Sequence, residues 1–212
     1  MFQLTSKQKI NILILFSFFH ILIITSSNYL VQLPIIIFGF HTTWGVFTFP
    51  FIFLTTDLTV RIYGSYLARR IIAMVMLPAL SVSYIFSTLF YQGEWQGFAI
   101  LNKFNLFVTR IAFASFMAYI LGQIMDIFVF NKLRNYHHWW IAPTVAMFFG
   151  NLLDTMVFFF IAFYRSTAHF MSTNWIEIAL IDYGINLFIY LLFFLPAYKL
   201  MTNFILKHYS YN

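Results

Sequence analysis

The hydrophobic positions of this chain gather into six long stretches, which short polar segments separate. Each stretch is close to or longer than the roughly 20 apolar residues with which an α-helix crosses a bilayer. The pattern therefore predicts an all-α, polytopic membrane protein with six transmembrane helices, over about 10–33, 42–60, 71–91, 104–128, 139–164 and 177–203. Because no linker or change of composition divides these stretches, we expect a single transmembrane domain over residues 1–212.

Composition argues against a water-soluble domain. Hydrophobic residues make up 62% of the 212 positions and charged residues 8%, whereas a soluble domain carries about 25% charged residues. So few charges could not cover a surface in water, but a lipid bilayer accepts apolar side chains on the outside of a helical bundle. The bilayer is thus the first predicted partner. The chain has no cysteine, which excludes disulfides and thiolate metal sites.

The basic residues predict the orientation. If six helices alternate from a cytoplasmic N-terminus, nine of the twelve Lys and Arg side chains fall on the cytoplasmic side, two on the outer side, and Arg110 within the fourth helix. This asymmetry follows the positive-inside rule, so both termini are predicted to be cytoplasmic. A nucleic-acid-binding protein would instead gather its basic residues on one water-exposed face. We therefore expect no nucleic acid as a partner.

Polar side chains inside the apolar stretches are the candidates for function, because a charge near the bilayer centre costs at least about 2.5–3.5 kcal/mol. Helical rise places one group in the outer half of the membrane, with Asp182 about 8 Å below the start of the sixth predicted helix. We predict that this group binds a substrate; its members are Asn28, Arg110, Asn151, Asp154, Glu177 and Asp182. The alternative interpretation is that these side chains only hydrogen-bond the helices to one another.

The outer group is chemically compatible with a planar, purine-like ligand. A carboxylate can accept two N–H bonds from a guanine-type edge, amides can pair with the remaining polar atoms, and aromatic side chains can sandwich the ring. Arg110 can neutralise one carboxylate and leave another free to bind. A second polar group lies near the cytoplasmic ends of the helices and is predicted to be a structural lock or a gate; it comprises Asp57, Arg61, Gln123 and Asp126.

Several runs of residues, which together cover nearly the whole chain, carry a resemblance to a known family. They are T-S-S-N-Y-L-V-Q-L-P at 25–34, G-F-H-T-T-W-G at 39–45, F-P-F-I-F-L-T-T-D-L-T-V-R-I-Y-G at 49–64, L-A-R-R at 67–70, F-N-L-F-V-T-R-I-A-F-A-S-F-M-A-Y-I-L-G-Q at 104–123, G-N-L-L-D-T at 150–155 and W-I-E-I-A-L-I-D-Y at 175–183. In combination these runs resemble the queuosine precursor transporter family of bacterial inner membranes. That family is distantly similar to the substrate-binding subunits of energy-coupling-factor vitamin importers.

The resemblance implies that the substrate is a small deazapurine. It is closest to members that import 7-cyano-7-deazaguanine and, to a lesser degree, its aminomethyl relative, for salvage of the tRNA nucleoside queuosine. The family pattern marks Asn28, Asp57, Arg61, Arg110, Gln123, Asn151, Asp154, Glu177 and Asp182. One position departs from it, because relatives often carry a lysine where this chain has Asn186. We therefore expect Asp182 to pair with Arg110 instead.

Two other classes of protein compete with a stand-alone transporter. An intramembrane aspartyl enzyme would also bury carboxylates, but the chain lacks Gly-x-Gly-Asp as well as the HExxH and GxSxG motifs of other hydrolases, so we expect no enzyme and no catalytic residues. A substrate-binding subunit of a multi-component vitamin importer is the second alternative, although the first helix lacks an Ala-x-x-x-Ala docking pattern. The chain has no phosphate-binding loop, and we expect no cofactor and no metal. The oligomeric state stays open.

Overall fold

The computed structural model describes residues 6–133, 141–189 and 191–192, with the side chains of Asp57, Arg61 and Asp126 outside the description. The described residues form six α-helices: α1 (Ser6–Leu30), α2 (Phe49–Tyr63), α3 (Ser65–Leu89), α4 (Leu106–Leu133), α5 (Ile141–Phe163) and α6 (His169–Ile189). Between α1 and α2 lies an antiparallel hairpin of β1 (Pro34–Ile37) and β2 (Phe40–Thr43). Short 3-10 turns occupy Trp44–Phe47, Tyr91–Gly93 and Phe98–Asn102.

The described residues contain the predicted number of helices, but some of these helices differ in length from the prediction. Among the described residues, four apolar helical segments are long enough to cross a membrane: Lys7–Leu30, Tyr66–Gly93, Leu106–Leu133 and Val145–Phe163. The second helix has only 15 residues, or about 22 Å at the rise of an α-helix. The sixth begins at His169 rather than at 177, and its predicted end at 203 lies outside the described residues.

The hairpin corrects the prediction of an all-α fold. Three consecutive isoleucines, Ile35 to Ile37, favour a strand because β-branched side chains fit an extended backbone. The two-residue loop takes positive φ at both Phe38 (52°) and Gly39 (86°), as a type I′ turn requires. The predicted helix over 42–60 therefore begins seven residues late, at Phe49, with a proline in its first turn where the missing N–H costs no helical bond.

A positive φ also makes the turn between α2 and α3. Gly64, with φ of 80°, separates the last residue of α2 from the first residue of α3. Glycine adopts this conformation without steric cost, so the chain reverses direction within one residue. The cytoplasmic turn predicted between the second and third stretches is therefore very short.

The main core joins three helices and the residue that follows α1. Buried side chains from α4, α5 and α6 form one cluster with Val31; its members include Ile111, Phe159 and Ile178. Large apolar side chains on the outside of the helices, by contrast, stay exposed; examples are Ile14 (63%), Leu77 (63%), Phe128 (63%) and Phe188 (60%). An apolar outside together with an apolar inside is the arrangement expected when lipid is the outer solvent. The same three helices carry the predicted outer group except Asn28, which lies on α1.

Candidate functional site

The centre of the candidate site is a pair of carboxylates on neighbouring helices. Asp182 of α6 is 2% exposed and lies near Asp154 of α5. Nδ2 of Asn186, one turn further along α6, donates a hydrogen bond to Oδ2 of Asp182 over 2.7 Å. The structure thus brings together two of the predicted site residues, and it adds Asn186 as a direct partner.

Close packing against α4 fixes the position of Asp154. A Cβ atom added to Gly122 would lie 3.1 Å from Cβ of Asp154 and 3.5 Å from its carboxyl carbon. Such a distance is shorter than an ordinary van der Waals contact between carbon atoms. Gly122 therefore permits α4 and α5 to approach closely at the level of this carboxylate.

The polar face of α5 continues above and below Asp154. Asn151 and Thr155 are each 5% exposed, and the Thr155 hydroxyl donates to Oδ1 of Asn151 over 3.3 Å. The i, i+3, i+4 spacing of residues 151, 154 and 155 puts them on one side of the helix. Burial of Asn151 and Thr155 shows that this side is turned into the bundle, as predicted.

Asn28 occupies a second buried position, near the end of α1. Its Oδ1 accepts a hydrogen bond from the Ser115 hydroxyl of α4 over 2.6 Å, while its Nδ2 has no partner among the described residues. Gln32 donates to the backbone oxygen of Asn28 over 3.1 Å, and its own side-chain oxygen has no described partner. The contribution of Ser115 could not be predicted, because a single serine in an apolar helix has no distinctive spacing.

Arg110 holds a helix end together, and this corrects the expectation that it pairs with a buried carboxylate. Its guanidinium donates to the backbone oxygen of Ile161 from Nε (3.1 Å) and Nη2 (2.8 Å). It also donates to the oxygens of Tyr164 (2.7 Å) and Arg165 (3.3 Å). These carbonyls lie at the C-terminus of α5, where helical hydrogen bonds end and the helix dipole favours a cation. Asp182 hydrogen-bonds to Asn186 instead.

Glu177 connects α6 to the hairpin. One carboxylate oxygen accepts a hydrogen bond from the backbone N–H of His41 over 2.9 Å, and the other lies 2.9 Å from Nδ1 of the His41 ring. The His41 ring also makes an edge contact with Phe170, with ring centroids 5.1 Å apart. The 136 residues between His41 and Glu177 explain why sequence spacing could not reveal this pair. Glu177 thus anchors β2 to α6, about 12 Å from the first residue of that helix.

These contacts place the predicted outer group at different depths. We call the end of the bundle that carries the hairpin, the C-terminus of α5 and the start of α6 the hairpin end. Because α6 begins at His169, Asp182 lies about 20 Å along that helix instead of the predicted 8 Å. Asp154 lies about 14 Å from the end of α5 at Phe163 by the same measure. Arg110 and Glu177 contact groups at the hairpin end, whereas Asp182 lies deeper in the bundle.

The predicted inner group remains a prediction. Asp57 and Arg61 lie in α2 and Asp126 in α4, but their side chains are outside the description. Gln123 on α4 is partly exposed. A shallow cleft of about 310 Å³ lies elsewhere, among the loops at the hairpin end, and its walls include none of the predicted site residues. The residues that line this cleft are Tyr91, Ile100, Lys103, Phe104, Asn105, Leu106, Phe107 and Thr167.

Apolar helices that enclose buried carboxylates and amides define a multi-pass membrane protein of the transporter class. Comparison with known proteins gives the same class. The family described as "Putative vitamin uptake transporter" matches residues 43–201. The "Queuosine precursor transporter" of Escherichia coli (strain K12) is 62% identical over 203 residues, which cover 96% of this chain and 92% of that protein.

Two further relatives carry the same description. The "Probable queuosine precursor transporter" of Haemophilus influenzae is 52% identical over 95% of this chain and 91% of its own length. The protein of that description from Bacillus subtilis (strain 168) is 24% identical over 65% of this chain and 63% of its own length. No solved structure matches the chain significantly. The chain belongs to the queuosine precursor transporter family, which confirms the predicted family and the prediction that it is no enzyme.

Proposed function

We propose that this protein imports queuosine precursors across the bacterial inner membrane for the salvage of queuosine in tRNA. Its main substrate is 7-cyano-7-deazaguanine, and the aminomethyl relative is the secondary one. Identity of 62% to a protein described as a queuosine precursor transporter supports the substrate class. The observation that carries a binding site is the buried Asp182, which lies near the partly buried Asp154 on a neighbouring helix of the main core.

In this proposal the chain crosses the membrane six times, with both termini in the cytoplasm and the hairpin end outside. The charge asymmetry along the sequence supports this orientation. The short α2 would complete its crossing together with the 3-10 turn at Trp44–Phe47 that precedes it. The hairpin and the α3–α4 loop would then face the outside, where the substrate enters.

The substrate site in this proposal is lined by polar side chains of three helices, α1, α5 and α6. Asp182 or Asp154 accepts the N–H groups of the deazaguanine edge, and Asn28 and Asn151 bind its remaining polar atoms. Arg110 and Glu177, which the sequence also assigned to the site, serve it indirectly, because their side chains are engaged at the end of α5 and at the hairpin. Both would hold in place the elements that enclose the substrate.

Uptake of labelled 7-cyano-7-deazaguanine tests the site. Cells that cannot synthesise the precursor would express the unmodified chain, Asp154→Asn or Asp182→Asn. We expect each substitution to lower uptake at least 10-fold, because a buried carboxylate that binds N–H donors contributes on the order of 1.5–3 kcal/mol. Gly184→Ala is the matched control, since an added Cβ there meets no atom within 4 Å. Undiminished uptake by both aspartate variants would refute the assignment.

Purified protein in vesicles separates a stand-alone transporter from a subunit of a larger importer. The chain lacks a phosphate-binding loop, so we expect uptake into vesicles that contain this chain alone and no ATP. Uptake that required added energy-coupling components would instead identify the chain as a substrate-binding subunit. Repeating the measurement with and without a pH gradient shows whether protons drive the import.

A further inference from the structure

Asp182 and Asn186 form a hydrogen-bonded pair. The side-chain amide of Asn186 donates to Asp182, and one oxygen of each side chain has no partner among the described residues. The hydrogen bond of 2.7 Å from Nδ2 of Asn186 to Oδ2 of Asp182 orients both side chains. Oδ1 of Asp182 and Oδ1 of Asn186 have no hydrogen-bond partner among the described residues. Both residues are 2% exposed, so bulk water does not reach them. The pair therefore presents two buried acceptors, one on a carboxylate and one on an amide.

Two such acceptors call for donors. A buried acceptor without a partner costs on the order of 1–3 kcal/mol, and folded proteins retain few of them. Arg110, the basic side chain within α4, donates to the end of α5 instead. The nearby Asp154 is a second carboxyl group and supplies no N–H donor. A ligand that offers N–H groups would satisfy Asp182 and Asn186 together.

We propose that Asp182 and Asn186 jointly bind the ring N–H and the adjacent exocyclic amino group of the substrate, which makes Asn186 a specificity-determining residue. The inference rests on the proposed function, because a deazaguanine carries these donors side by side on its pyrimidine edge. Asp182 accepts from the ring N–H through its free oxygen. The Asn186 oxygen accepts from the amino group. A ring without that amino group leaves the Asn186 oxygen buried and unpaired.

Binding of two ligands to the purified protein tests the inference. One is 7-cyano-7-deazaguanine, and the other is the same ring without the exocyclic amino group, 7-cyano-7-deazahypoxanthine. We expect the unmodified protein to bind the first on the order of 10- to 100-fold more tightly, because a site built to accept an N–H discriminates against the analogue that lacks it. This measurement needs no variant and so does not depend on how a variant folds.

Substitution of Asn186 then assigns the discrimination to one side chain. In Asn186→Leu, which has a similar size but no acceptor, the affinity ratio of the two ligands should fall to about 1–3, because neither ligand can pair with position 186. Asn186→Ala should give the same ratio with a smaller side chain. Gly184→Ala, on the same helix and with open space around its added Cβ, should keep the ratio of the unmodified protein.

Each contrary outcome has a distinct meaning. Equal affinity of the unmodified protein for the two ligands would overturn the inference and leave the proposed function standing. A ratio that survives in both Asn186 variants would also overturn it, because Asn186 would then only position Asp182. If the unmodified protein bound neither ligand, the proposed function itself would fail, together with the inference that rests on it.

Discussion

Removing the guanidinium of Arg110 should destabilise the end of α5 without removing a substrate contact. In Arg110→Met the Ile161 oxygen loses two donors, at 3.1 and 2.8 Å, in a partly buried position. A hydrogen bond to a charged group contributes about 1.5–3 kcal/mol, and a cation at a helix C-terminus adds about 0.3–1 kcal/mol. The Tyr164 and Arg165 oxygens are exposed, so water can replace the donor there. The expected loss is about 2–4 kcal/mol.

Thermal unfolding of the purified protein in detergent measures this loss. For a chain of this size each kcal/mol shifts the melting temperature by about 2–4 °C, so Arg110→Met should melt about 4–16 °C lower. Arg110→Lys keeps the charge but not the forked donor geometry, and its melting temperature should lie in between. Lys103→Gln is the matched control, because Lys103 is an exposed residue in the loop before α4 and its replacement changes the net charge equally.

Substrate affinity decides between the structural role and the role predicted from the sequence. If Arg110 only caps α5, the folded fraction of Arg110→Met should bind 7-cyano-7-deazaguanine within about threefold of the unmodified protein. An unchanged melting temperature combined with a large loss of affinity would refute the capping argument. That result would return Arg110 to the substrate-binding group.

Three further predictions concern the packing of the site and the hairpin. Gly122→Ala should lower uptake at least severalfold, because its Cβ would lie 3.1 Å from Cβ of Asp154 and force α4 and α5 apart. Glu177→Ala should make the hairpin more susceptible to proteolysis. Glu177→Gln should have a small effect, because the Glu177 side chain is 38% exposed and an exposed ion pair contributes little to stability. Phe38→Gly should raise stability by about 0.5–1 kcal/mol, since it removes a positive φ of 52° from a residue that is 99% exposed.

The controls for these predictions use neighbouring positions. Gly184→Ala should leave uptake unchanged, because it adds the same methyl group in open space; equal effects of the two glycine substitutions would show that packing against Asp154 is irrelevant. Faster cleavage of the hairpin in Glu177→Gln than in Glu177→Ala would contradict the anchoring role. A loss of stability in Phe38→Gly would show that the exposed ring contributes more through lipid contact than its backbone conformation costs.

The helices could be predicted from the sequence because long apolar stretches in a membrane protein have few alternatives to helix. The hairpin was missed for the same reason. Ile35 to Ile37 are apolar and extend the first stretch, so hydrophobicity alone could not separate them from the helix. Their β-branching and the following Gly39 are the local signals that could have located it. The start of α6 was placed late because His169 and the polar residues after it, such as Ser172 and Thr173, interrupt the apolar pattern.

The buried polar residues were predicted as a group, but their partners were not. Inward-facing positions such as Asn151 and Thr155 follow from helical periodicity, which is a local property. The partners of Arg110 are backbone oxygens, and those of Glu177 are the backbone N–H and the ring of His41; all lie far away in the sequence. A backbone oxygen, in addition, cannot be recognised from the identity of its residue. Arg110 was expected to pair with a carboxylate because a carboxylate acceptor can be recognised from the identity of its residue. The backbone carbonyls at the end of α5 are equally suitable acceptors.

The distinction between engaged and free polar groups strengthens the case for a ligand near Asp182. In the described residues, Arg110 and Glu177 find protein partners at the hairpin end, and these contacts account for the cost of placing them there. Contacts between helices would explain the burial of Asp182 only if both of its carboxylate oxygens had hydrogen-bond partners. Oδ1 of Asp182 has none among the described residues. Structural hydrogen bonding between helices therefore explains Arg110 and Glu177 but not Asp182. The absence of a donor for Asp182 among the described residues supports the proposal that a substrate with adjacent N–H groups binds there.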